Sequence, residues 1–423
     1  MLIGGTIIWL ALIGYIVWRY PHWKTLLLAI SLPTYLLRFQ IFGIPTTWLE
    51  LTIYLVFIIW LYRNGLRTQW WRPLHRYWQP LSLLGIGLLI GTLISADPLV
   101  SLGILKGWFV DPLLLFLLIA NSCNNPDTEF NYVVVGLWFS GVVLAVVALY
   151  QVASGDFITA DQRASAWFGS ANYLSLYLVP IMMLILGWWK RLKLLGPIKL
   201  IWPGWIIWGG WGLMLGALYF TFSYAGWLAL LIGGLVFWWF TSPSWKAAVI
   251  GLIGTIIMVT YQWQSPKFQH LWDLAGRSSS HVRLQVWQTA FLMVKEHWFT
   301  GIGLGLFEAR YLEFANRLFH PPLEPVMLHS HNIGLQFWLN TGILGLGGFI
   351  WLLSKWFRRI WLGVRAKNIP SVAVFSAMVA LLAHGMVDVA YWKNDLSALF
   401  WIIVALGTIL TQLYGRESLP DRN

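Results

Sequence analysis

Sulfur and negative charge are both scarce in this chain. Its 423 residues include one cysteine, Cys123, which excludes an intrachain disulfide framework and a thiolate metal cluster. Charged residues make up 10% of the sequence, with 16 acidic side chains against 28 lysines and arginines. No D-x-D or E-x-D pair occurs, the arrangement with which many transferases hold a divalent ion, so no metal and no cofactor is expected. What fills the space is apolar: 58% of residues are hydrophobic, 31 are tryptophan, and the mean hydropathy is +0.67. A soluble domain does not have this balance.

A bilayer core of about 30 Å needs about 20 mostly apolar residues in a helix, because every backbone polar group must be satisfied within the segment. Runs of this kind fall at 2–18, 24–43, 46–62, 80–95, 104–121, 131–153, 170–188, 202–220, 224–241, 246–262, 331–354, 371–390 and 396–414. The expected fold is therefore all-α, a polytopic membrane bundle of twelve or thirteen helices. The first run lacks a charged n-region and a cleavage site, so it reads as a retained span.

Net charge is +12, and its distribution reads as topology. Arg63, Arg67, Arg72 and Arg76 share one loop, Lys190, Arg191, Lys193 and Lys199 another, and Lys355, Arg358, Arg359, Arg365 and Lys367 a third. With these spans the three loops fall on one side, which the positive-inside rule makes cytoplasmic. The opposite short loops carry only Arg38, Arg163 and Lys393, with Lys106 at a helix start. A nucleic-acid surface would need a soluble basic face, and no soluble part is large enough.

One outer connection is long, from about Gln264 to Leu328, and separates N-terminal helices (1–263) from C-terminal ones (331–414), with the loop unit taken as 264–330. Six of the nine histidines lie in it or at its end: His270, His281, His297, His320, His329 and His331. HVRLQVWQTAFLMVKEHW places Val282, Val286, Trp287, Ala290, Phe291 and Val294 at helical spacing, the pattern of an amphipathic helix at a membrane surface. A second helical stretch is expected from Leu306 to about Phe319, before HPPLEP forces an extended turn. GIGLG reads as a tight turn or close packing, since a lone G-x-G-x-G without a preceding strand is weak evidence for a phosphate loop. Asp111 and Asp388 sit at apparent membrane depth, where an acid is either functional or paired: Asp111 with Lys106, Asp388 with His384 or Lys393. Asp97 and Asp161 fall in outer loops as possible acceptor contacts.

RLQVWQTAFLMVKEHWFTGIGLGLF, followed by HSHNIGLQFWLNTGILGL, resembles the signature region of the O-antigen ligase and O-antigen polymerase superfamily, here at about 155–350. RASAWFGSANYLSLYLVPI, TFSYAGWLALL and HGMVDVAYWKNDLSALFW extend the resemblance in the right order. It implies a glycosyltransferase C-like integral membrane enzyme of cell-surface polysaccharide synthesis. Such an enzyme takes glycan from undecaprenyl pyrophosphate on the outer face of the plasma membrane and passes it to a glycan, lipid or protein acceptor. By position, Arg283, His331 and Arg163 match family residues implicated in activity; Arg283 and His331 are the expected catalytic residues, and Arg163, Arg277, His329, Asn332 and Asn172 the expected substrate contacts. The chain departs from the family at Ser223-Tyr224, where many members have Ser-Arg.

The chemistry of the residues agrees. A departing pyrophosphate needs fixed cations, which Arg283 and Arg163 can supply as bidentate forks. The acceptor hydroxyl must lose a proton, and His331 is suited as base or as a ligand contact. Ligase and polymerase stay open. A membrane transporter or transport accessory, for example for inorganic carbon, is the alternative from another class.

Overall fold

The computed structural model describes residues 2–41, 43–65, 69–122, 126–191, 203–242, 251, 254, 260, 263, 266–269 and 277–417. Cys123, Arg67, Lys193, Lys199, His270, Asp273 and most of the expected 246–262 span lie outside them. The described chain is an all-α polytopic membrane bundle. Its main helices are α1 (Leu2–Arg19), α2 (Lys24–Ile30), α3 (Trp48–Asn64), α4 (Arg72–His75), α5 (Trp78–Leu93), α6 (Pro98–Leu105), α7 (Asp111–Ala120), α8 (Pro126–Ser154), α9 (Ala171–Arg191), α10 (Gly204–Phe220) and α11 (Tyr224–Thr241). After these come α12 (Ser279–Glu296), α13 (Phe307–Ala315), α14 (Ile333–Arg365), α15 (Ile369–Gly385) and α16 (Asn394–Glu417).

Among the described residues six stretches are long and apolar enough to cross a membrane: Pro98–Ala120, Thr128–Ser154, Ala171–Trp189, Tyr224–Thr241, Ile333–Arg365 and Asn394–Thr411. Four apolar helices are shorter, at Gly4–Arg19, Trp78–Leu93, Gly204–Phe220 and Ile369–Gly385. Apolar side chains such as Ile7, Ile8, Leu93 and Leu99 are exposed, a surface suited to lipid rather than water. The most deeply buried helix is α16, packed on α7 and α14; α14 also packs on α5, and α15 lies between α9 and α11.

Two segments differ from the single straight helices that hydropathy predicts. The run 24–43 contains α2, a 3₁₀ turn at Leu32–Leu36 and the strand Arg38–Ile41, which pairs antiparallel with Ile44–Thr47. Pro33 lacks the N–H an α-helix would use, which favours the 3₁₀ turn there. Even so, this broken segment returns the chain from one end of the bundle to the other. Helices α1 and α3 run parallel, because Trp9 stacks on Trp48 near their starts and Arg63 donates to the Trp18 carbonyl near their ends. The second case is α14, which is interrupted at Gly342 (φ 64°) where the Phe299 carbonyl enters and accepts from Ile343 N–H at 3.2 Å.

Two of the basic segments meet at one end: Lys355 donates to Gln79 at 2.6 Å, and Arg359 lies over the Tyr77 ring. The ends of α9 and α15 that carry Asn172 and Asp388 lie at the other. From Asn394, next to that second end, α16 rises about 1.5 Å per residue, so Thr408, which touches Arg76, is about 21 Å away.

Candidate functional site

The segment between α11 and α14 contributes a small packed layer of its own. Val286, Ala290, Met293 and Val294 of α12 pack with Ile302, Phe307, Tyr311, Phe314 and Leu339. Phe291, expected on this apolar face, is instead 60% exposed, beside a groove that it lines with Leu292, Lys295, Leu318 and Phe319. Helix α13 ends at Ala315, earlier than its charge spacing implies. GIGLG is a tight turn: Gly301, Gly303 and Gly305 have φ of 73°, 103° and 84°. Four of its five N–H groups are bonded within the protein, Gly301 with the His297 carbonyl, Ile302 with that of Leu339, Leu304 with that of Gly91 and Gly305 with Asn340 Oδ1, which leaves no row of N–H groups for a phosphate.

Five polar residues from four separate segments form one chain of contacts. Arg163 donates through Nη1 to Asp161 at 3.1 Å, through Nη2 to Asn172 Oδ1 at 2.8 Å, and through Nε to the Thr221 carbonyl at 2.6 Å. Asn172 in turn donates from Nδ2 to Asp388 Oδ2 at 2.9 Å. The other carboxylate oxygen of Asp388 meets His331 Nδ1 at 3.3 Å and accepts its neighbour Val389 N–H at 2.9 Å. Arg283 is tied to the same loop, donating Nε to the Val387 carbonyl at 3.0 Å. Sequence separations of 57 and 216 residues are closed in these few bonds.

Arg163, Asn172, Arg277 and Arg283 share a cleft of about 640 Å³ with Ser223, Tyr224 and Trp287. A guanidinium has five N–H groups; among the described residues Arg163 commits three to protein, which leaves two, whereas Arg283 commits one. Arg277 is paired with Glu324 at 2.8 Å on the exposed rim. Tyr224 stands where many family members have arginine, and its ring meets Trp227 edge-on at 5.2 Å. His331 does not line this cleft but lies behind its wall, linked through Asp388 and by Trp287 Nε1, which donates to its carbonyl at 3.2 Å. With Nδ1 against the carboxylate, Nε2 is the nitrogen left to exchange a proton. His331 also sits at φ 49°, an uncommon backbone for a non-glycine residue and one often held at functional sites.

Burial alone would raise Asp388, but the hydrogen bond and charge of His331, with the charges of His384 and Arg283, hold it well below the usual carboxylate range. Burial pushes His329 down to about 4, with His331 and Lys393 adding to the effect, so its ring is neutral at pH 7. Arg163 is lowered by burial, partly offset by Asp161. Lys393 is lowered to about 8 by burial, and its ammonium sits 3.9 Å from the Tyr173 ring centroid and 4.5 Å from that of Phe168.

Several pairings differ from those expected from the sequence. Asp111 accepts from Tyr54 at 2.5 Å, while Lys106 pairs with Glu50 at 2.8 Å. Asp388 bonds His331 and Asn172 in place of Lys393. Asp97 caps α6 by accepting from Val100 N–H, and Asp161 is the ion-pair partner of Arg163. Asn332 caps α14 through Leu335 N–H and donates to the Met386 carbonyl, which fixes the His331 turn against the Asp388 loop. The sequence points to Asp388 only as an acid at membrane depth; its partner across the fold has no signal in local spacing. Among the described residues no three His, Cys, Asp or Glu side chains gather as a metal site.

The fold and this cleft define a class: a multi-pass helical membrane protein with a cationic cleft and a histidine–carboxylate pair at one end. Residues 209–350, which include Arg283 and His331, match the family model described as O-antigen ligase. Over 158 residues the chain is 29% identical to the O-antigen ligase of Salmonella typhimurium (strain LT2), covering 33% of this chain and 37% of that protein. Over 198 residues it is 28% identical to a Rickettsia prowazekii protein provisionally named a polysaccharide ligase, covering 44% of this chain and 47% of that protein. The chain thus spans less than half the length of these curated relatives. Over this region the chain is similar to the O-antigen ligase family.

Proposed function

We propose that the protein is a membrane glycosyltransferase of the ligase or polymerase type. It moves glycan from an undecaprenyl-pyrophosphate donor to a hydroxyl acceptor on the extracytoplasmic face of the plasma membrane. The observation that carries this reading is the meeting of three arginines on one cleft with the half-buried His331 and its buried partner Asp388 beside it. The pyrophosphate docks on Arg283, whose Nη groups have no protein hydrogen bond among the described residues, and on the two remaining N–H groups of Arg163. Arg277 extends the cationic rim. The acceptor oxygen attacks the anomeric carbon, the bond from that carbon to the phosphate oxygen breaks, and the lipid pyrophosphate leaves with its electron pair.

His331 takes the acceptor proton at Nε2, and Asp388 orients the ring and stabilises the imidazolium that forms. Guanidinium groups, not a divalent ion, supply the positive charge that grows in importance as the pyrophosphate departs. His329, neutral beside His331, does not compete for the proton. The cation-rich loops at the far end agree with a cytoplasmic placement for that end, so the cleft faces out. No observation of comparable weight favours the transport alternative.

Replacing Arg283 or His331 by Ala tests the reading. Each variant is expected to reach the membrane at normal abundance and to lose glycan transfer, with lipid-linked glycan accumulating; near-normal transfer by both overturns it. Accumulated long polymer in a deletion strain identifies a ligase, and accumulated single repeat units a polymerase.

A further inference from the structure

At the opposite end of the bundle a second cavity, of about 640 Å³, is bounded by Gln69, Trp71, Arg72, His75, Arg76 and Asn121. It has no part in the proposed transfer, since α16 sets it about 21 Å from the Asp388 loop. No carboxylate among the described residues lines it. Arg72 is exposed, and its side chain has no hydrogen bond or ion pair among the described residues. Arg76 is half-buried, and its one described hydrogen bond is a long one, from Nη1 to the Thr408 carbonyl at 3.5 Å. A third guanidinium, Arg359, sits behind it over the Tyr77 ring, 5.9 Å from the centroid.

Burial and the neighbouring Arg359 charge both lower Arg76, so the fold holds like charges together with no carboxylate paired to them among the described residues. Such an arrangement is costly unless an anion completes it. The depth of the cavity narrows the choice of anion. Trp71 lines it with 48% of its surface exposed, Trp78 at the start of α5 is 53% exposed, and tryptophan exposed at helix ends in a membrane protein marks the headgroup level. A guanidinium pair at that level has the geometry to fork onto phosphodiester oxygens.

We propose that this cavity binds the phosphate headgroup of an anionic phospholipid of the leaflet opposite the transfer site. The lipid's phosphate lies between Arg72 and Arg76, His75 and Gln69 hydrogen-bond the headgroup, and Trp71 packs on the first acyl carbons. It fixes α4 to the end of α7 through Asn121, which already donates to the Trp70 carbonyl at 2.7 Å.

The full-length protein in nanodiscs or detergent tests this by native mass spectrometry of retained lipid together with thermal unfolding. Probes are phosphatidylglycerol, phosphatidylcholine with the same acyl chains, and inorganic phosphate. Phosphatidylglycerol should be retained and raise the melting temperature, and phosphatidylcholine should do neither. Arg72→Gln should weaken phosphatidylglycerol retention about five-fold and Arg72→Gln/Arg76→Gln about 25-fold, at about 1 kcal/mol for each arginine near an anionic surface. Arg72→Gln alters only an unpartnered side chain, so it reads the site even if the double variant folds poorly. Arg358→Gln, an exposed arginine outside the cavity, should match the wild type. Equal retention of the two lipids, unchanged retention in Arg72→Gln, an equal loss in Arg358→Gln, or the whole thermal effect from inorganic phosphate would each overturn the proposal.

Discussion

Asp388→Asn isolates the part of the site that geometry most clearly defines. Asp388 is 2% exposed and accepts from Asn172 Nδ2 at 2.9 Å and Val389 N–H at 2.9 Å, besides meeting His331 Nδ1 at 3.3 Å. Asparagine keeps the volume but removes the charge, and its amide must turn an NH₂ towards one of the two side-chain donors. A charge-assisted hydrogen bond contributes about 1.5–3 kcal/mol, and mis-setting the tautomer of the paired histidine adds to its loss. A combined effect of about 2–4 kcal/mol on the transition state is a rate loss of about 30- to 900-fold at 1.36 kcal/mol per decade. The assay is the initial rate of glycan transfer in proteoliposomes charged with labelled lipid-linked glycan, with thermal unfolding measured in parallel to separate rate from stability. His331→Ala serves as the reference for loss of the base. If Asp388→Asn keeps more than about a third of the wild-type rate while His331→Ala is inactive, the carboxylate does not orient the base and the reasoning fails.

Two further predictions concern stability. His329 has a folded value of about 4, below its unfolded value of about 6.5. The stability it contributes is therefore complete above about pH 6.5 and is lost as pH falls towards 4. The loss is about 3 kcal/mol for a wholly buried ring, and about half that here because the ring keeps some contact with water. The melting temperature in detergent should drop between pH 7 and pH 5, and drop less in His329→Gln; parallel curves would refute the assignment. Gly301→Ala should cost about 2–4 kcal/mol, because φ is 73° and a methyl group would overlap the Leu339 carbonyl oxygen. An unchanged melting temperature for this variant would mean that the turn between α12 and α13 is looser than the structure has it.

Much of the fold can be read from the amino acids alone, for a physical reason. In lipid the backbone must satisfy its own hydrogen bonds, so an apolar run of the right length has one stable form. The runs near 131–153, 170–188, 224–241, 331–354 and 396–414 accordingly fall largely within the helices α8, α9, α11, α14 and α16. Hydropathy fails where a local rule competes with it: Pro33 and the hairpin from Arg38 to Thr47 divide an apolar run that is long enough to span. Gly342 opens α14 for a carbonyl that arrives from a different part of the chain. Phe291 fits the apolar stripe of α12 by spacing, yet faces a groove, because periodicity states which side chains share a face and not what will cover it.

The sequence by itself determined an all-helical membrane chain and cationic loops set on one side, since these rest on composition and period along the chain; Arg283 and His331 entered only through the resemblance of their motifs to a known family. Tertiary structure decided the rest. Asp388 meets His331 across 57 residues and Asn172 across 216, and Arg163 reaches both through Asn172. Only helix packing can close such separations, because the pairing of buried polar groups is settled by which helix ends arrive at the same depth on the same side, and one residue's neighbours in sequence carry no record of that.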